Sequence, residues 1–595
     1  MHQFFRRHWQ RALRIREKLH FSEEAFHLVL AGGVGVIGGL VNLFFYYATS
    51  SVEFLFFRQT GEPAEVAEMM VRWERVVTPT LGGLCAGMVL YWGLRLAGPQ
   101  RSTNLLEVVV AGDGRLPSRN GMVKFLSSLI TIGSGGSIGR EGGITQLSAT
   151  LASKWGQVAG WHPYRLRLLV GCGAAAGISA AYNAPISGAV FAALIVLGNF
   201  SMSLFAPLVF ASVVATMVSR SFFGIKPWYT VPEVKFTSVT QLPWFVLLGV
   251  VTGAMGAAFL KLLNRAEEAF KQIHVPVYIR LMIGGLVVGV IAIQFPGVCG
   301  NGYTITNRIL LGQYPKETNG LLFLVGLLLA KLIATLATVG SGAVGGVFTP
   351  TLFLGAALGA ISGQALQQFH LAETMPVAVF AVVGMGGMLS ATTRSPLLAM
   401  IMVFEISLDY SLMPPLMLAS VVSFLVARRL HPESIYTEPL RRKGLSVSQE
   451  AIASEAATEQ TVSALMRAPI TPIRETATLG EIADRFLTSA NNFLPVVDTK
   501  NRLVGIVALQ DLKGYLGSEK EVLGVIAYDV MRPPPPCVTP NQRLLEILPV
   551  VLASEQRNIP VVSSLKENRL VGALGRSEVL GIFSEVIAAT PKGDG

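Results

Sequence analysis

The stretch KFLSSLITIGSGGSIGREGG at residues 124–143 is matched without gaps by KLIATLATVGSGAVGGVFTP at residues 331–350. The offset is 331 − 124 = 207, and the identities include both Gly-Ser-Gly triplets and Gly139, which aligns with Gly346. Glycine inside a helix costs roughly 0.5–1 kcal/mol relative to alanine. Each copy therefore predicts an apolar helix that breaks at its glycines and then resumes.

A second pair of segments indicates an internal duplication. ISAAYNAP at 178–185 resembles LSATTRSP at 389–396, and this offset is 389 − 178 = 211. Duplicated halves are typical of transporter folds, often in opposite orientations, and interrupted segments in corresponding positions point to the substrate site. We therefore expect the breaks at 133–143 and 340–350 to form that site.

The composition places this repeat in a membrane. Of 595 residues, 51% are hydrophobic and only 14% are charged, whereas a typical soluble domain has about 25% charged residues. Several segments of about 20 residues are apolar enough to cross a bilayer: 28–48, 79–97, 244–262, 279–295 and 319–339. The sequence predicts an all-α polytopic membrane domain.

The net charge of +11 comes largely from the flanks of this apolar region. Basic residues precede the first apolar segment and follow the last one: Arg6, Arg7, Arg11, Arg14, Arg16 and Lys18, then Arg428, Arg429, Arg441, Arg442 and Lys443. Positively charged flanks stay cytoplasmic, so we expect both termini in the cytosol and no nucleic-acid partner. No cleavable signal peptide is predicted, and the four scattered cysteines predict neither a disulfide framework nor a metal site.

A second repeat lies beyond the membrane region. FLPVVDTKNRLVGIVALQDL at 493–512 resembles NIPVVSSLKENRLVGALGRSEV at 558–579, and the alternating short strands and helices predict a soluble α/β domain. The predicted divisions are a basic cytoplasmic segment, the membrane domain, a polar linker, the first soluble copy, and the second copy with its tail: 1–25, 26–430, 431–455, 456–520 and 521–595.

The two predicted breaks suit an anion. Irregular backbone at membrane depth is tolerated only where it is buried in protein or lines a wet cavity. Each break is followed by a helix N-terminus, whose free N–H groups and positive dipole end attract an anion. Two such ends meeting near the midplane would bind an ion without burying a full positive charge, so the ion can also leave. The alternative is that the glycines serve helix packing alone.

Charged residues inside the membrane domain are few, and such residues are costly. Glu141 lies at the first break. Either it satisfies the dipole of its own helix, or its carboxylate competes with the permeating anion for the same N–H groups and opens the path on protonation or a side-chain swing. We expect Arg140 to be a structural partner for backbone carbonyls or a nearby loop, and Glu405 to have a structural or vestibule role.

These residues resemble the CLC family of chloride channels and chloride/proton exchangers. GREGG at 139–143 is similar to the family's GREGP element, and GGVFTP at 345–350 is similar to its GxFxP element. GNGY at 300–303, AAAGISAAYNAP at 174–185, and Tyr436 in SIYTEPL also fit. The resemblance covers about 26–445 and is strongest to a bacterial branch of voltage-gated-type CLC proteins.

The resemblance implies a gated chloride pathway in each subunit of a homodimer in the bacterial inner membrane, among lipids and without a required cofactor. Its helices would be tilted and broken, in an inverted repeat. Glu141 would be the gating glutamate. The implied anion-binding groups are the backbone N–H groups of Val347 and Phe348, the Tyr436 hydroxyl, and an outer part with Arg140 and Gly142.

One departure from the family concerns anion selectivity. The family's GSGIP element, whose serine hydroxyl caps the central ion, should lie near 98–104, where this chain reads GPQRSTN. Ser102 or Thr103 would then substitute for that serine. Selectivity for chloride over other anions stays open, including a fluoride-selective relative.

A second departure concerns proton coupling. Exchangers of this family have a proton-transferring glutamate 12 residues after the asparagine of the NAP element. From Asn183 that position is 183 + 12 = 195, which is Ile195, and Leu194 precedes it. Because isoleucine cannot relay a proton, passive conduction is favoured, with a chloride/proton exchanger as the alternative.

The soluble repeat resembles a tandem pair of CBS domains, which often bind adenosine ligands. The resemblance places a ribose-contacting aspartate at Asp511, but Ala508 replaces the hydroxyl residue three positions earlier. In the second copy these positions are Glu578 and Gly575. Adenine nucleotide binding at Asp511 and a purely structural or dimer-stabilising module both stay open.

Two other function classes fit the residues less well. CBS pairs also occur on cation transporters such as magnesium systems, but dehydrated Mg²⁺ or Ca²⁺ needs several carboxylates. The two breaks offer N–H and hydroxyl groups with one glutamate. No nucleophile–base set, metal cluster or phosphate loop is found in the sequence, so no enzyme is predicted.

Overall fold

The protein forms two compact units, Met1–Leu445 and Ser446–Gly595. A computed structural model describes most of both units. The described residues are 23–59, 61–98, 105–110, 113–161, 163–198, 200, 202–225, 228–232, 239–314, 320–371, 375–443, 461–489, 491–512, 524–554 and 556–580.

The first unit is helical, and its first half contains nine α-helices within the described residues. They are α1 (Glu23–Phe57), α2 (Pro63–Met69), α3 (Arg72–Ala97), α4 (Leu105–Val110), α5 (Ser118–Gly133), α6 (Glu141–Ala159), α7 (Pro163–Tyr182), α8 (Pro185–Phe191) and α9 (Met202–Phe223). A π-helical turn, Ala192–Val196, directly follows α8.

The second half of this unit follows the same plan. Its described helices are α10 (Leu242–Gln272), α11 (Val277–Gln294), α12 (Tyr303–Leu310), α13 (Gly320–Gly340), α14 (Phe348–Gln368), α15 (Val377–Thr393), α16 (Pro396–Ser407), α17 (Met413–Leu430) and α18 (Glu438–Arg442). Short 3₁₀ turns cover Val239–Gln241, Pro296–Val298 and Tyr410–Leu412.

Helix boundaries in the two halves repeat with the offsets found in the sequence. Helices α5 and α13 end at Gly133 and Gly340, and α6 and α14 begin at Glu141 and Phe348. Both pairs differ by 207 positions. Helices α7 and α15 end at Tyr182 and Thr393, which differ by 393 − 182 = 211 positions. The duplication therefore sets where the helices break, as predicted.

Seven described helical segments are long and apolar enough to span a bilayer, judged by length and composition: His27–Phe57, Arg72–Ala97, Leu204–Phe223, Leu242–Gln272, Val277–Gln294, Gly320–Gly340 and Tyr410–Leu430. Each of the five segments predicted from the sequence lies inside one of these helices or extends beyond it by a single residue. The all-α polytopic membrane domain is thus confirmed.

Small residues let the helices of this unit approach one another closely. Close approach strengthens van der Waals packing between membrane helices. A Cβ atom on Gly285 of α11 would lie 2.0 Å from the carbonyl oxygen of Pro79 in α3. A Cβ atom on Gly359 of α14 would lie 2.0 Å from the carbonyl oxygen of Phe380 in α15. Neither glycine can be replaced without moving a helix.

Residues after the last long helix still belong to the first unit. Helix α18 is fixed by ion pairs from Arg442 to Glu267 and Glu268, both 3.3 Å, at the end of α10. Lys443 lies 2.6 Å from Glu107 in α4. The predicted polar linker over 431–455 therefore begins with residues, up to Lys443, that contact the membrane unit.

The second unit is a small α/β domain. Its elements are α19 (Val462–Leu465), β1 (Ile473–Arg474), α20 (Leu479–Thr488), β2 (Phe493–Val497), β3 (Leu503–Ala508), α21 (Ala527–Val530), α22 (Leu544–Ala553), β4 (Asn558–Val562) and β5 (Leu570–Gly575), with a 3₁₀ turn at Leu509–Leu512. Strand β1 is parallel to β2, β2 is antiparallel to β3, and β4 is antiparallel to β5.

In each copy of this domain, a backbone position near the start pairs with a strand of the other copy. The backbone of Arg467, at the start of the first copy, pairs with Ala573 in β5 through N–O distances of 2.9 and 3.0 Å. The backbone of Arg532, at the start of the second copy, pairs with Ile506 in β3 at 2.8 and 3.1 Å. The copies are therefore interlocked, so neither is expected to be stable alone.

Candidate functional site

The two matched breaks of the membrane unit meet face to face. The N–H group of Gly139 donates to the carbonyl oxygen of Gly346 at 2.7 Å, and the N–H group of Gly346 donates to the carbonyl oxygen of Gly139 at 2.8 Å. This contact is an antiparallel bridge between positions that are equivalent in the repeat. The approach is close: a Cβ atom on Gly142 would lie 2.6 Å from the carbonyl oxygen of Gly345.

The Glu141 carboxylate of the first half occupies the helix N-terminus of the second half. Its Oε1 accepts hydrogen bonds from the N–H groups of Phe348 at 2.8 Å and Thr349 at 3.2 Å. Its Oε2 accepts the Thr349 hydroxyl at 2.8 Å. Helix α14 has 21 residues, so both its dipole and its free amides favour a negative group here. These contacts lie on the opposite helix, not on the start of Glu141's own.

A cavity of about 360 Å³ lies against this carboxylate. It brings together most of the residues predicted for the anion site: Glu141, Gly142, Val347, Phe348 and Tyr436. The Tyr436 ring is held edge-on against Phe191, with ring centroids 5.6 Å apart. Residues from both halves and from the segment after α17 thus share one space.

Two residues predicted for the site, Val347 and Arg140, are not among the donors that contact the Glu141 carboxylate. Val347 is the N-cap of α14 and lines the cavity, while the amides that contact the carboxylate belong to the next two residues. Arg140 directs its guanidinium to the Ala181 carbonyl oxygen at 3.2 Å and over the rings of Trp228 and Tyr303, at 4.1 and 4.9 Å. This is a contact with a backbone carbonyl of the kind expected for Arg140, and its anion-binding role stays a prediction. Ser102 lies outside the described residues.

Sequence reasoning missed three residues near the site. Thr349 and Tyr182 contact each other through their hydroxyl groups at 2.7 Å, and Lys124 lines the cavity. A lysine in an apolar membrane segment is a signal of function by default, so Lys124 could have been found. Thr349 stands at the second variable position of the GxFxP element, and no local pattern distinguishes it.

The position expected to carry a proton-transferring acid is apolar. Leu194 and Ile195 lie in the π-helical turn after α8, and neither side chain can ionise. The nearby Glu405 instead caps α8: it accepts the N–H groups of Ile186 at 2.9 Å and Ser187 at 2.7 Å, and the Ser187 hydroxyl at 2.5 Å. These contacts fit the structural role, one of the two roles predicted for Glu405, and the choice between the two stays a prediction.

In the soluble unit, the Asp511 carboxylate is held by an arginine. Nε of Arg532 donates to one oxygen of Asp511 at 2.7 Å, and the guanidinium also contacts the second oxygen. Arg467 and Glu578 make the corresponding pair in the other copy. A ribose hydroxyl would therefore have to compete with Arg532 for the Asp511 carboxylate.

Two protein families match the sequence of this chain. The family described as "Voltage gated chloride channel" matches residues 96–428, and the CBS domain matches residues 462–518 and 527–585. The chain is 39% identical over 421 residues to a chloride channel protein of Ralstonia nicotianae described as ClcB-like, covering 70% of this chain and 96% of the relative. It is 33% identical over 419 residues to the voltage-gated ClC-type chloride channel ClcB of Escherichia coli K12, covering 69% and 98%.

Solved structures share the fold at lower identity. A slow cyanobacterial Cl⁻/H⁺ antiporter superposes with a TM-score of 0.62 at 23% identity, covering 71% of this chain and 98% of that chain. A CLC-type fluoride/proton antiporter has a TM-score of 0.57 at 21% identity, covering 70% and 98%. A eukaryotic CLC transporter has a TM-score of 0.57 at 18% identity, covering 93% and 98%. At these identities the likeness establishes the fold of the membrane unit.

Proposed function

The chain belongs to the voltage-gated chloride channel (CLC) family, and from that premise we propose that it conducts chloride passively, with Glu141 as the gate. Membership of the family implies CLC-type anion transport, and the tandem CBS domain is a separate match. The observation that carries the proposal is the Glu141 carboxylate on the Phe348 and Thr349 amides. A negative group already occupies the place where two interrupted helices can hold one.

The gate works by competition between two anions. While the carboxylate is ionised and seated on the N-terminus of α14, a chloride ion cannot use the same amides. Protonation removes the charge that holds the side chain there, and a swing of the side chain frees the amides for the ion. Because the amides carry only partial positive charge, chloride binds and still leaves.

Passive conduction is supported by Ile195 and Leu194. An exchanger must pass a proton along the protein as well as an anion, and these side chains offer no site for it where family exchangers have a glutamate. The relatives named as ClcB are described as chloride channels, which points the same way. The alternative is chloride/proton exchange by another proton route.

The remaining site residues have supporting roles in this proposal. Gly142 permits the two breaks to touch, Val347 and Tyr436 line the ion's cavity, and Arg140 braces the outer part of the break. Ser102 would donate its hydroxyl to the ion from a segment outside the described residues. We attribute selectivity for chloride over fluoride to the N–H and hydroxyl groups of these residues.

We place the protein in the bacterial inner membrane as a homodimer, with a pore in each subunit and both termini in the cytosol. The basic flanks of the apolar region support this orientation. The CBS pair then lies in the cytosol, where it modulates conduction. Residues 1–25, 26–430, 431–455, 456–520 and 521–595 remain the proposed division of the chain.

The deciding experiment uses the full-length protein in liposomes loaded with chloride, with chloride and pH electrodes recording together. We expect chloride efflux when potassium and valinomycin balance the charge, and no proton movement against a proton gradient. Uphill proton uptake driven by the chloride gradient would instead establish exchange. Protein-free liposomes serve as the control for leak.

A further inference from the structure

Two buried hydroxyl groups are linked by hydrogen bonds in a series that ends on the Glu141 carboxylate. The Thr349 hydroxyl donates to Oε2 of Glu141 at 2.8 Å, and the Tyr182 hydroxyl oxygen lies 2.7 Å from Oγ1 of Thr349. The relative exposures of Tyr182, Thr349 and Glu141 are 2%, 0% and 3%. A buried hydrogen bond to a charged group is worth more than one at a surface. These two hydroxyl groups therefore affect how strongly the site holds a negative group.

Donor and acceptor roles in the chain follow from the number of hydrogens. An ionised carboxylate only accepts, and a hydroxyl has one hydrogen. The Thr349 hydrogen is therefore directed at Glu141, which leaves Tyr182 as the donor to Thr349. Together with the two amides on Oε1, three hydrogens surround the carboxylate, and Tyr182 fixes the direction of one of them.

Both hydroxyl groups are held by rigid elements from different halves. Tyr182 is the last residue of α7, and its ring packs against Phe348 with centroids 5.3 Å apart. The next residue, Asn183, has a φ of +60°, which asparagine tolerates better than most residues. Its side chain accepts from Nε of Arg220 at 2.6 Å. Thr349 is the second residue of α14.

We propose that Thr349, oriented by Tyr182, is an anion-coordinating residue of this pore. Its hydroxyl donates to the Glu141 carboxylate when the gate is closed and to the permeating anion when the carboxylate has left. The carboxylate oxygens stand in for that anion in the structure. This inference rests on the proposed gating by Glu141 and adds a donor to it.

The proposal predicts effects of opposite sign in two backgrounds. In the otherwise wild-type protein, Thr349→Val removes a donor from the closed gate, so chloride flux at neutral pH rises. In Glu141→Ala, where no carboxylate competes, Thr349→Val removes a donor from the ion, so chloride binding weakens about ten- to a hundredfold, the usual scale of one hydrogen bond to a charged group. A merely structural threonine would lower both quantities.

The experiment measures chloride binding by calorimetry in Glu141→Ala, with and without Thr349→Val or Thr349→Ser, and flux in the matching proteins with Glu141. Serine keeps the hydroxyl, so we expect it to preserve binding and flux. Tyr182→Phe leaves the Thr349 donor in place but less fixed, so we expect a smaller rise in flux than with valine. Equal chloride affinity with threonine and valine, or parallel losses of binding and flux, would overturn the proposal.

Failure of this inference can be told apart from failure of the gate. If Glu141→Ala has the wild-type flux and pH profile, the gating proposal fails, and with it the closed-gate half of this inference. If Glu141→Ala behaves as a gateless pore but valine at Thr349 leaves its chloride affinity unchanged, only the coordinating role of Thr349 fails.

Discussion

Gly139 and Gly346 donate hydrogen bonds to each other's carbonyl oxygens across the middle of the membrane unit, at 2.7 and 2.8 Å. They are the same position in the two copies of the repeat, 346 − 139 = 207 residues apart. Duplication thus placed two matched breaks face to face, and the first residues of α6 and α14 follow them. The proposed anion site is a consequence of this pairing.

The charge of Glu141 should set the pH dependence of conduction. Flux is expected to rise as pH falls, because protonation removes the charge that holds the carboxylate on the amides of α14. Glu141→Gln has no such charge at any pH, so its flux should be high and nearly independent of pH. Electrode recordings between pH 4 and pH 8 test this, and an unchanged pH profile in the glutamine variant would refute the gate.

The contact between the two breaks should not tolerate a methyl group. A Cβ atom at Gly142 would lie 2.5 Å from the carbonyl carbon of Gly345. We expect Gly142→Ala to separate the breaks, to cost about 1–3 kcal/mol as other overpacked sites do, and to reduce chloride flux severely. Thermal melting and liposome flux measure both effects. Gly480→Ala is the matched control, because no atom lies within 4 Å of its added methyl group.

Lys124 should raise the local concentration of anions in the cavity it lines. Removing one positive charge from a confined space weakens the field that attracts chloride. We expect Lys124→Gln to lower the apparent chloride affinity several-fold, and to do so more at low ionic strength. Exposed Lys154 provides the control substitution. Equal salt dependence in both variants would count against a role for Lys124.

Glu405 should matter for stability more than for conduction. It accepts three hydrogen bonds at the start of α8, and a hydrogen bond to a charged group contributes about 1.5–3 kcal/mol. Glu405→Ala leaves the Ile186 and Ser187 donors unpaired, so its melting temperature should fall. Flux per folded molecule should stay near wild type. A normal melting temperature with altered pH dependence would mean that Glu405 acts in transport.

Adenine nucleotides should bind poorly to the soluble unit while Arg532 holds Asp511. We expect millimolar ATP or AMP to leave the melting profile of the full-length protein unchanged. Arg532→Ala frees the carboxylate and, if the ribose site is otherwise intact, should produce a nucleotide-dependent shift that Asp511→Asn abolishes. A clear shift in the wild-type protein would show that the ion pair yields to the ligand.

Short-range patterns in the sequence predicted the parts of the site that local chemistry controls. The glycines at 139, 142 and 346 and the acid at Glu141 could be identified because a broken membrane helix and a buried charge are both costly and therefore informative. The repeat offset predicted that the breaks correspond, and the structure confirms that they touch.

Contacts between distant residues could not be predicted in this way. Tyr182 and Thr349 are 167 positions apart, and each reads alone as an ordinary residue near a helix end. The pairing of Arg467 with Ala573 likewise depends on how the CBS copies fold over each other. The ion pairs from Arg442 and Lys443 to Glu107, Glu267 and Glu268 also join helices far apart in sequence, so no local pattern predicts them.

The most direct test is crystallographic. Crystals of the Glu141→Gln variant grown in bromide should show an anomalous peak within hydrogen-bonding distance of the Phe348 and Thr349 amides, where the carboxylate of the wild-type protein lies. Bromide bound elsewhere in a variant that still conducts, with these amides unoccupied, would contradict the claim that the paired breaks hold the permeating anion.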